Sequence, residues 1–491
     1  MLCLALPVHQ PDRPLPELLE QLGHAQPERR RTAVRALAEL GGRRAWEAVV
    51  EALEDPEGMV ADAAQIELAG LDDEAVLSSL LGRGGLGHSE PWVRMRVAEA
   101  LGRMGRALPG RRLAKRLSPR DPATSEALLW SLERLHGSNR IEGDVSGLAR
   151  QVEGCMGRNA PGSLRAQALW TAELLAPDPR GRRVERALED RDPEVRVAAL
   201  RCVERAHGAG ERLLQVAGTA ASDAHAAVRG AAADALGGIA TPEALLVLVE
   251  RLALEQRPVV QDRLLKRLQG ATGLRHRLDP RPWRRHLEAL PAGEAVVRIG
   301  GGKSADLRRS SASVERFPVA SDRAAYLVDL SGSIWNRRSD GRTRKELIDG
   351  MLARTLDALP AGGLFNVIPF TGQPHPWRDE LVKVTSRHTK KAGESFAKLR
   401  VTGPGDVWSA VQLALKDGRV DTLIVVTDGA PTGGQRHDID LMMELLRQAV
   451  RWRAVRFDLV LVDAPQRLAK RWRALAADTG GTCLELSFGP R

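Results

Sequence analysis

Two textures of hydrophobic and polar positions divide this chain. Through roughly the first 290 residues, apolar side chains recur at helical spacing, as in Val195, Ala198, Ala199 and Val203. From 323 onward, short apolar runs alternate with amphipathic stretches. Residues 324–330, 364–370, 421–427, 455–462 and 482–486 read as strands. Residues 343–359, 388–399, 408–416, 437–452 and 466–478 read as helices. Residues 291–322 show no clear period and read as a linker. Strands that are apolar throughout, separated by helices, predict an α/β doubly wound domain with a mostly parallel sheet over 323–491.

The helical half repeats itself. DPEVRVAALRCV at 192–203 returns as HAAVRGAAADAL at 225–236 and EPWVRMRVAEAL at 90–101. Aligned anchors fall at Arg29, Val60, Val93, Thr124, Leu164, Val195, Val228 and Val260. Most of these gaps are 31–33 residues and one is near 40, so about eight copies form an array. Each copy sets a proline near the first turn of a helix, where its missing N–H costs nothing, often with an aspartate or serine before it as cap. No single helix pair covers its own apolar face, so stacking makes the core and the expected architecture is an α-solenoid. The pattern resembles HEAT repeats, most strongly at 90–105 and 190–252. The array is assigned to 15–290, ending in a segment whose Trp283 reads as a plug over the last repeat.

Charge changes the picture little. Lys and Arg number 73 against 63 Asp and Glu, a net charge of +10. Residues 1–290 carry 42 basic and 40 acidic groups, whereas 323–491 carry 26 and 19. The array shows no basic stripe, and aromatic residues are 3% of the chain, so no specific nucleic-acid partner is expected. No apolar run of about 20 residues occurs, so no transmembrane span is expected. Residues 1–14 are read as an N-terminal segment. Its apolar start, Met1 to Val8, lacks a basic flank and resembles the tail of a signal peptide. As written the chain is expected in the cytoplasm; a start upstream of Met1 makes it periplasmic or exported. Cys3, Cys155, Cys202 and Cys483 are scattered without metal spacing, which points away from zinc and from a disulfide framework. GGGKS at 300–304 ends like a phosphate loop, but Val297 stands where its first glycine belongs.

The chemistry collects after the strands. Asp329, Ser331 and Ser333 follow the first strand in DLSGS, Asp428 follows 421–427 in TDG, and Asp406 lies in the loop GPGD before the 408–416 helix. In a doubly wound sheet, ligands gather at the carboxyl ends of the strands. Three carboxylates and two hydroxyls suit a hard divalent cation, Mg²⁺ or else Mn²⁺ or Ca²⁺. No histidine or cysteine stands in these loops, which argues against zinc or copper.

These motifs resemble the metal-ion-dependent adhesion site (MIDAS) of von Willebrand factor A (vWA) domains, over about 320–488. The array and this domain together resemble bacterial HEAT/vWA-domain proteins. The resemblance implies Mg²⁺ held by Asp329, Ser331, Ser333 and Asp428, with an acidic residue of a protein partner completing the shell. The family's loop threonine is replaced by Asp406. Turned inward, Asp406 gives three carboxylates and leaves less positive charge for a partner; turned outward, it removes one ligand. Arg337, Arg338, Arg342, Arg344 and Lys345 read either as a solvated loop or as a basic rim for an acidic ligand.

The expected function is a non-enzymatic protein-interaction scaffold that docks a partner through the metal. Alternatives are a structural vWA domain with a saturated metal site, whose partners bind the HEAT surface, and a metal-dependent hydrolase. Hydrolysis needs a general base, and His375, His388 and His437 lie on other segments than the metal loops.

Overall fold

The computed structural model describes residues 15–296, 298, 309–310, 316–317, 320–337 and 341–487. The expected N-terminal segment 1–14, the GGGKS stretch at 300–304, and Arg338 lie outside the described residues. The chain separates into two compact units, 1–160 with 174–176, and 161–173 with 177–491. The second unit holds the later repeats together with the sheet. No helix among the described residues is long and apolar enough to cross a membrane.

In the first unit, helix pairs run Leu15–Leu22 with Pro27–Leu40, Arg43–Glu51 with Gly58–Glu67, Glu74–Leu80 with Pro91–Leu101, and Gly110–Ala114 with Pro122–Gly137. In the second, they run Arg182–Leu188 with Pro193–His207, Glu211–Ala220 with Ala226–Ile239, and Pro242–Leu254 with Pro258–Thr272, closed by Pro280–Glu288. Prolines 27, 91, 122, 193, 242 and 258 begin their helices, and Asp121, Asp192 and Asp279 accept backbone N–H bonds as caps. Seven of the eight expected anchors are buried; Arg29, in the first copy, is exposed. Trp283 is fully buried and donates its indole N–H to the Arg277 carbonyl at 2.8 Å, as a plug requires.

The arginine that follows the anchor explains why the motif recurs. Arg30 pairs with Asp55, Arg94 with Asp121, Arg165 with Asp190, Arg196 with Asp223, and Arg229 with Glu255, at 2.6–2.8 Å. Arg30, Arg94, Arg196 and Arg229 also donate to the carbonyl six residues back. Each of these guanidiniums therefore ties its own turn to the acid that opens the following second helix. Charge-assisted, partly buried bonds of this kind fix spacing between units that otherwise touch through small apolar groups. In the last copy Gln261 takes the position. It keeps the carbonyl bond, to Glu255, and among the described residues its amide meets no acid.

Among the described residues the main sheet has seven strands: β1 Arg309–Ser310, β2 Arg323–Asp329, β3 Leu364–Phe370, β4 Val382–Lys383, β5 Thr422–Thr427, β6 Arg456–Val462 and β7 Cys483–Leu486. Their order is β1-β7-β6-β5-β2-β3-β4, parallel throughout except β4. Helices α1 Arg344–Asp357 and α2 Ser386–Lys398 cover one face, packing on Tyr326 and Val328. Helices α3 Val407–Ala414, α4 Ile439–Val450 and α5 Gln466–Asp478 cover the other, packing on Ala325 and Leu327. The alternation along β2 decides which residues face which layer.

Within the second unit, the repeats seat against the amino ends of the strands. Arg257 bonds Asp322 and Asp421, Arg456 bonds Asp262, and Arg453 bonds Glu194. The carboxyl ends lie at the opposite edge of the sheet.

Candidate metal site

The chain leaves β2 for β3 on one side, then returns through β5 to β6 and β7 on the other. The crevice between the carboxyl ends of β2 and β5 is therefore the switch point of the sheet. Asp329 ends β2 and Asp428 follows β5 directly.

Asp329 is buried at 1% exposure. Its carboxylate accepts the Ser331 N–H at 2.7 Å and the Thr427 hydroxyl at 2.8 Å. Ser331 Oγ lies 3.3 Å from Ser333 Oγ, and Ser333 donates to Asp428 at 2.5 Å. Four oxygen-bearing side chains from two loops thus form one continuous cluster. Burial pushes the Asp329 carboxyl up to about 6, against the opposing effect of its bonds to Ser331 and Thr427.

The surrounding loops are pinned. Arg344 bonds Asp463 at 2.8 Å and the Ser333 carbonyl at 2.9 Å. Trp335 donates to the carbonyls of Leu330 and Val401. Trp472 donates to the carbonyl of Gly429, whose φ of +91° suits glycine.

Asp406 is placed differently. Its backbone N–H bonds the Thr371 carbonyl, and its carboxylate caps α3 by accepting the Ser409 N–H at 3.0 Å. The carboxylate also lies against Gly434, where a Cβ would stand 2.0 Å from Cγ. Burial raises its pKa above the ordinary carboxylate range. Among the described residues, no three acidic, histidine or cysteine side chains form a group able to hold a metal. Asp329, Ser331, Ser333 and Asp428 thus join as two carboxylates and two hydroxyls, while one oxygen of Asp406 accepts the Ser409 N–H at the start of α3. Mg²⁺ commonly takes one or two carboxylates and keeps several waters, so this donor set fits it.

The expected basic rim is partly internal. Arg344 is paired as above, and Lys345 is buried against Asp349 and over the Phe396 ring. Thr427, Thr432 and His375 also shape the site, although the motifs name none of them as a ligand. Thr427 holds Asp329. Thr432 accepts the Gly405 N–H at 2.7 Å, joining the β5 loop to the Asp406 loop. His375 bonds the Thr371 hydroxyl at 3.1 Å, on the residue whose carbonyl holds Asp406.

Comparison with known proteins agrees with both halves. A profile of HEAT repeats matches residues 15–84 and 182–269. The C-terminal region matches vWA-like proteins. Inter alpha-trypsin inhibitor, heavy chain 4, of Mus musculus is 27% identical over 148 residues, 28% of this chain and 15% of that protein. Inter-alpha-trypsin inhibitor heavy chain H4 of Homo sapiens is 29% identical over 169 residues, 32% of this chain and 17% of that protein. The chain thus spans less than a fifth of the length of these relatives. A von Willebrand factor type A structure from Catenulispora acidiphila is 19% identical, covering 33% of this chain and 38% of that one at a TM-score of 0.26. The protein carries HEAT repeats in its N-terminal part and a vWA-like, mostly parallel α/β region after them.

Proposed function

We propose that this protein is a non-enzymatic interaction scaffold whose vWA-like region takes a divalent cation, Mg²⁺ before Mn²⁺ or Ca²⁺, and docks a partner protein through it. The observation that carries the reading is the cluster of Asp329, Ser331, Ser333 and Asp428 at the switch point, with a buried carboxylate at its centre. These four residues would hold the ion. A bound cation supplies positive charge and open positions for an acidic side chain of the partner. Saturation of the ion by the protein would need a third carboxylate, and one oxygen of Asp406 is taken up in capping α3. The site lies at the carboxyl edge of the sheet, opposite the strand starts on which the later repeats seat. Catalysis is no part of this reading.

The test is thermal unfolding of the full chain in Mg²⁺, Mn²⁺, Ca²⁺ and chelator, for wild type, Asp329→Ala and Asp428→Ala. A ligand at 100 times its dissociation constant adds about 2.7 kcal/mol, a readily measured rise in Tm. A rise in wild type that both variants lose supports the site. No rise in wild type at millimolar metal overturns it.

A further inference from the structure

We infer that the outward face of α2 docks an acidic stretch of a partner protein. The inference rests on the proposed docking function for its partner, but the face needs no ion. Residues 383–400 hold six lysines and arginines against one acid, Glu394. In a chain whose basic residues are mostly arginine, four of the ten lysines fall between 383 and 398. Thr389, Ala392 and Phe396 turn α2 toward the core. Arg387, Lys390, Lys391 and Lys398 stand at helical spacing on the opposite side, and all four are exposed. At the rise of an α-helix they make a stripe about 16 Å long.

Among the described residues, none of these four cations has an acidic partner, although Glu394 stands three or four positions from Lys390, Lys391 and Lys398. Like charges at such spacing repel on a helix surface, and a row of carboxylates relieves that repulsion. Just past α2, Arg400 donates to the Ala397 and Leu399 carbonyls and lies over the Trp335 ring. Trp335 in turn bonds the Val401 carbonyl, so the stripe leads toward the loops of the proposed metal site. A groove of about 750 Å³ borders the stripe between α1 and α2. Leu356, Leu359 and Ala397 give it an apolar lining beside Lys390, Asp357 and Glu394. An apolar foothold next to a row of cations fits a protein segment that mixes acidic and apolar side chains.

Other polyanions fit this face less well. Lysine presents a point charge, whereas arginine is the residue that forks onto phosphate. Trp377, beside α2, is stacked on Phe365 and carries Arg378, so its ring is already engaged and gives a nucleic-acid base no platform. Among the described residues, the exposed large apolar side chains are Leu40, Leu254 and Leu278, all in the repeats, so α2 has no wedge for a lipid surface.

The test is calorimetric titration of the full chain at low salt in chelator. The probe is a synthetic peptide of about a dozen residues, enough to span the stripe as a helix, made of glutamate with leucine at every fourth place. The comparison probes are the same peptide with glutamine for glutamate, a DNA duplex, and phosphatidylserine vesicles. Saturable binding of the acidic peptide is expected, weakened by about tenfold in the Lys390→Glu, Lys391→Glu double variant and lost in high salt. It should be unchanged in Asp329→Ala and in Lys470→Glu, an exposed lysine of α5 on the other face of the sheet. Absence of saturable binding at millimolar peptide overturns the proposal, as does equal binding of the glutamine peptide or equal weakening by Lys470→Glu. Tighter binding of the duplex or the vesicles overturns it in favour of that polyanion. Peptide binding that needs Mg²⁺ and is lost in Asp329→Ala overturns the stripe and upholds the metal site. Binding in chelator with no metal-dependent rise in Tm upholds the stripe without the ion. Both lysines are exposed, and a matched melting profile confirms that the double variant is folded.

Discussion

Ser333 donates its hydroxyl to the carboxylate of Asp428 at 2.5 Å, joining loops 95 residues apart in the chain. One end of that bond follows β2 and the other follows β5, the two strands that flank the switch point. The site is thus held together by its own donors before any ion is considered.

Ser333→Ala removes one oxygen donor and leaves the Asp428 carboxylate with the Ala430 N–H. Loss of one partly buried, charge-assisted bond is expected to cost about 1–2 kcal/mol without metal. The affinity for Mg²⁺ is expected to fall at least tenfold. Titration calorimetry beside chelator-only melting separates the two; an unchanged affinity removes Ser333 from the ligand set.

Asp406 is expected to behave as a helix cap. In chelator, Asp406→Ala should lose about 1 kcal/mol, and Asp406→Ser should recover most of it. Both variants should keep the Mg²⁺-dependent rise in Tm. If Asp406→Ala abolishes that rise while Asp406→Ser restores only stability, the carboxylate belongs at the ion.

Asp329 makes stability depend on pH. Its folded carboxyl titrates near 6, against about 3.9 for an ordinary aspartate. The folded state therefore holds the proton more tightly, and stability falls as pH rises through the interval from about 4 to 6. The full loss, about 3 kcal/mol, is present above 6 in the absence of metal. Asp329→Asn should flatten this part of the curve. Urea unfolding at several pH values in chelator reads the slope, and identical curves for variant and wild type would exclude Asp329 as its source.

The arginine ladder should matter most where it is driest. Arg229 bonds Glu255 through two contacts, and the Glu255 side chain is 1% exposed. Arg229→Ala leaves Glu255 with Arg251 and the backbone N–H groups of Gln256 and Arg257, and should cost about 3 kcal/mol. Combining Arg229→Met with Glu255→Leu should return most of that loss, because the deeply buried carboxylate goes with its partner and Arg251, 18% exposed, can turn to solvent. Denaturant midpoints of the two variants decide the matter.

Much of the architecture was legible in the linear pattern. The strands at 364–370 and 456–462 and the helix at 466–478 fall within a residue of where periodicity places them. Strong apolar runs bounded by turns leave little choice of conformation. The short edge strands escaped notice: Arg309–Ser310 and Val382–Lys383 hold two residues each, too few to show a period. DLSGS and TDG were equally readable, since each motif is contiguous and its place after a strand fixes where it goes.

What the sequence determined by itself is whatever a local pattern can encode. That includes the repeat period, the alternation of strand and helix, the prolines that start helices, and the oxygen donors waiting at strand ends. Tertiary structure alone decided which groups meet. The chain carries no mark that Arg196 will reach Asp223, that Arg257 will leave the array to bind Asp421, or that Trp170 will stand beside Trp452. Asp406 shows the limit most clearly. A carboxylate in a glycine-rich loop serves a cation or a helix start equally well, and only the folded chain sets one of its oxygens at the Ser409 amide. Such distances follow from the packing of whole layers, which no short stretch of sequence contains.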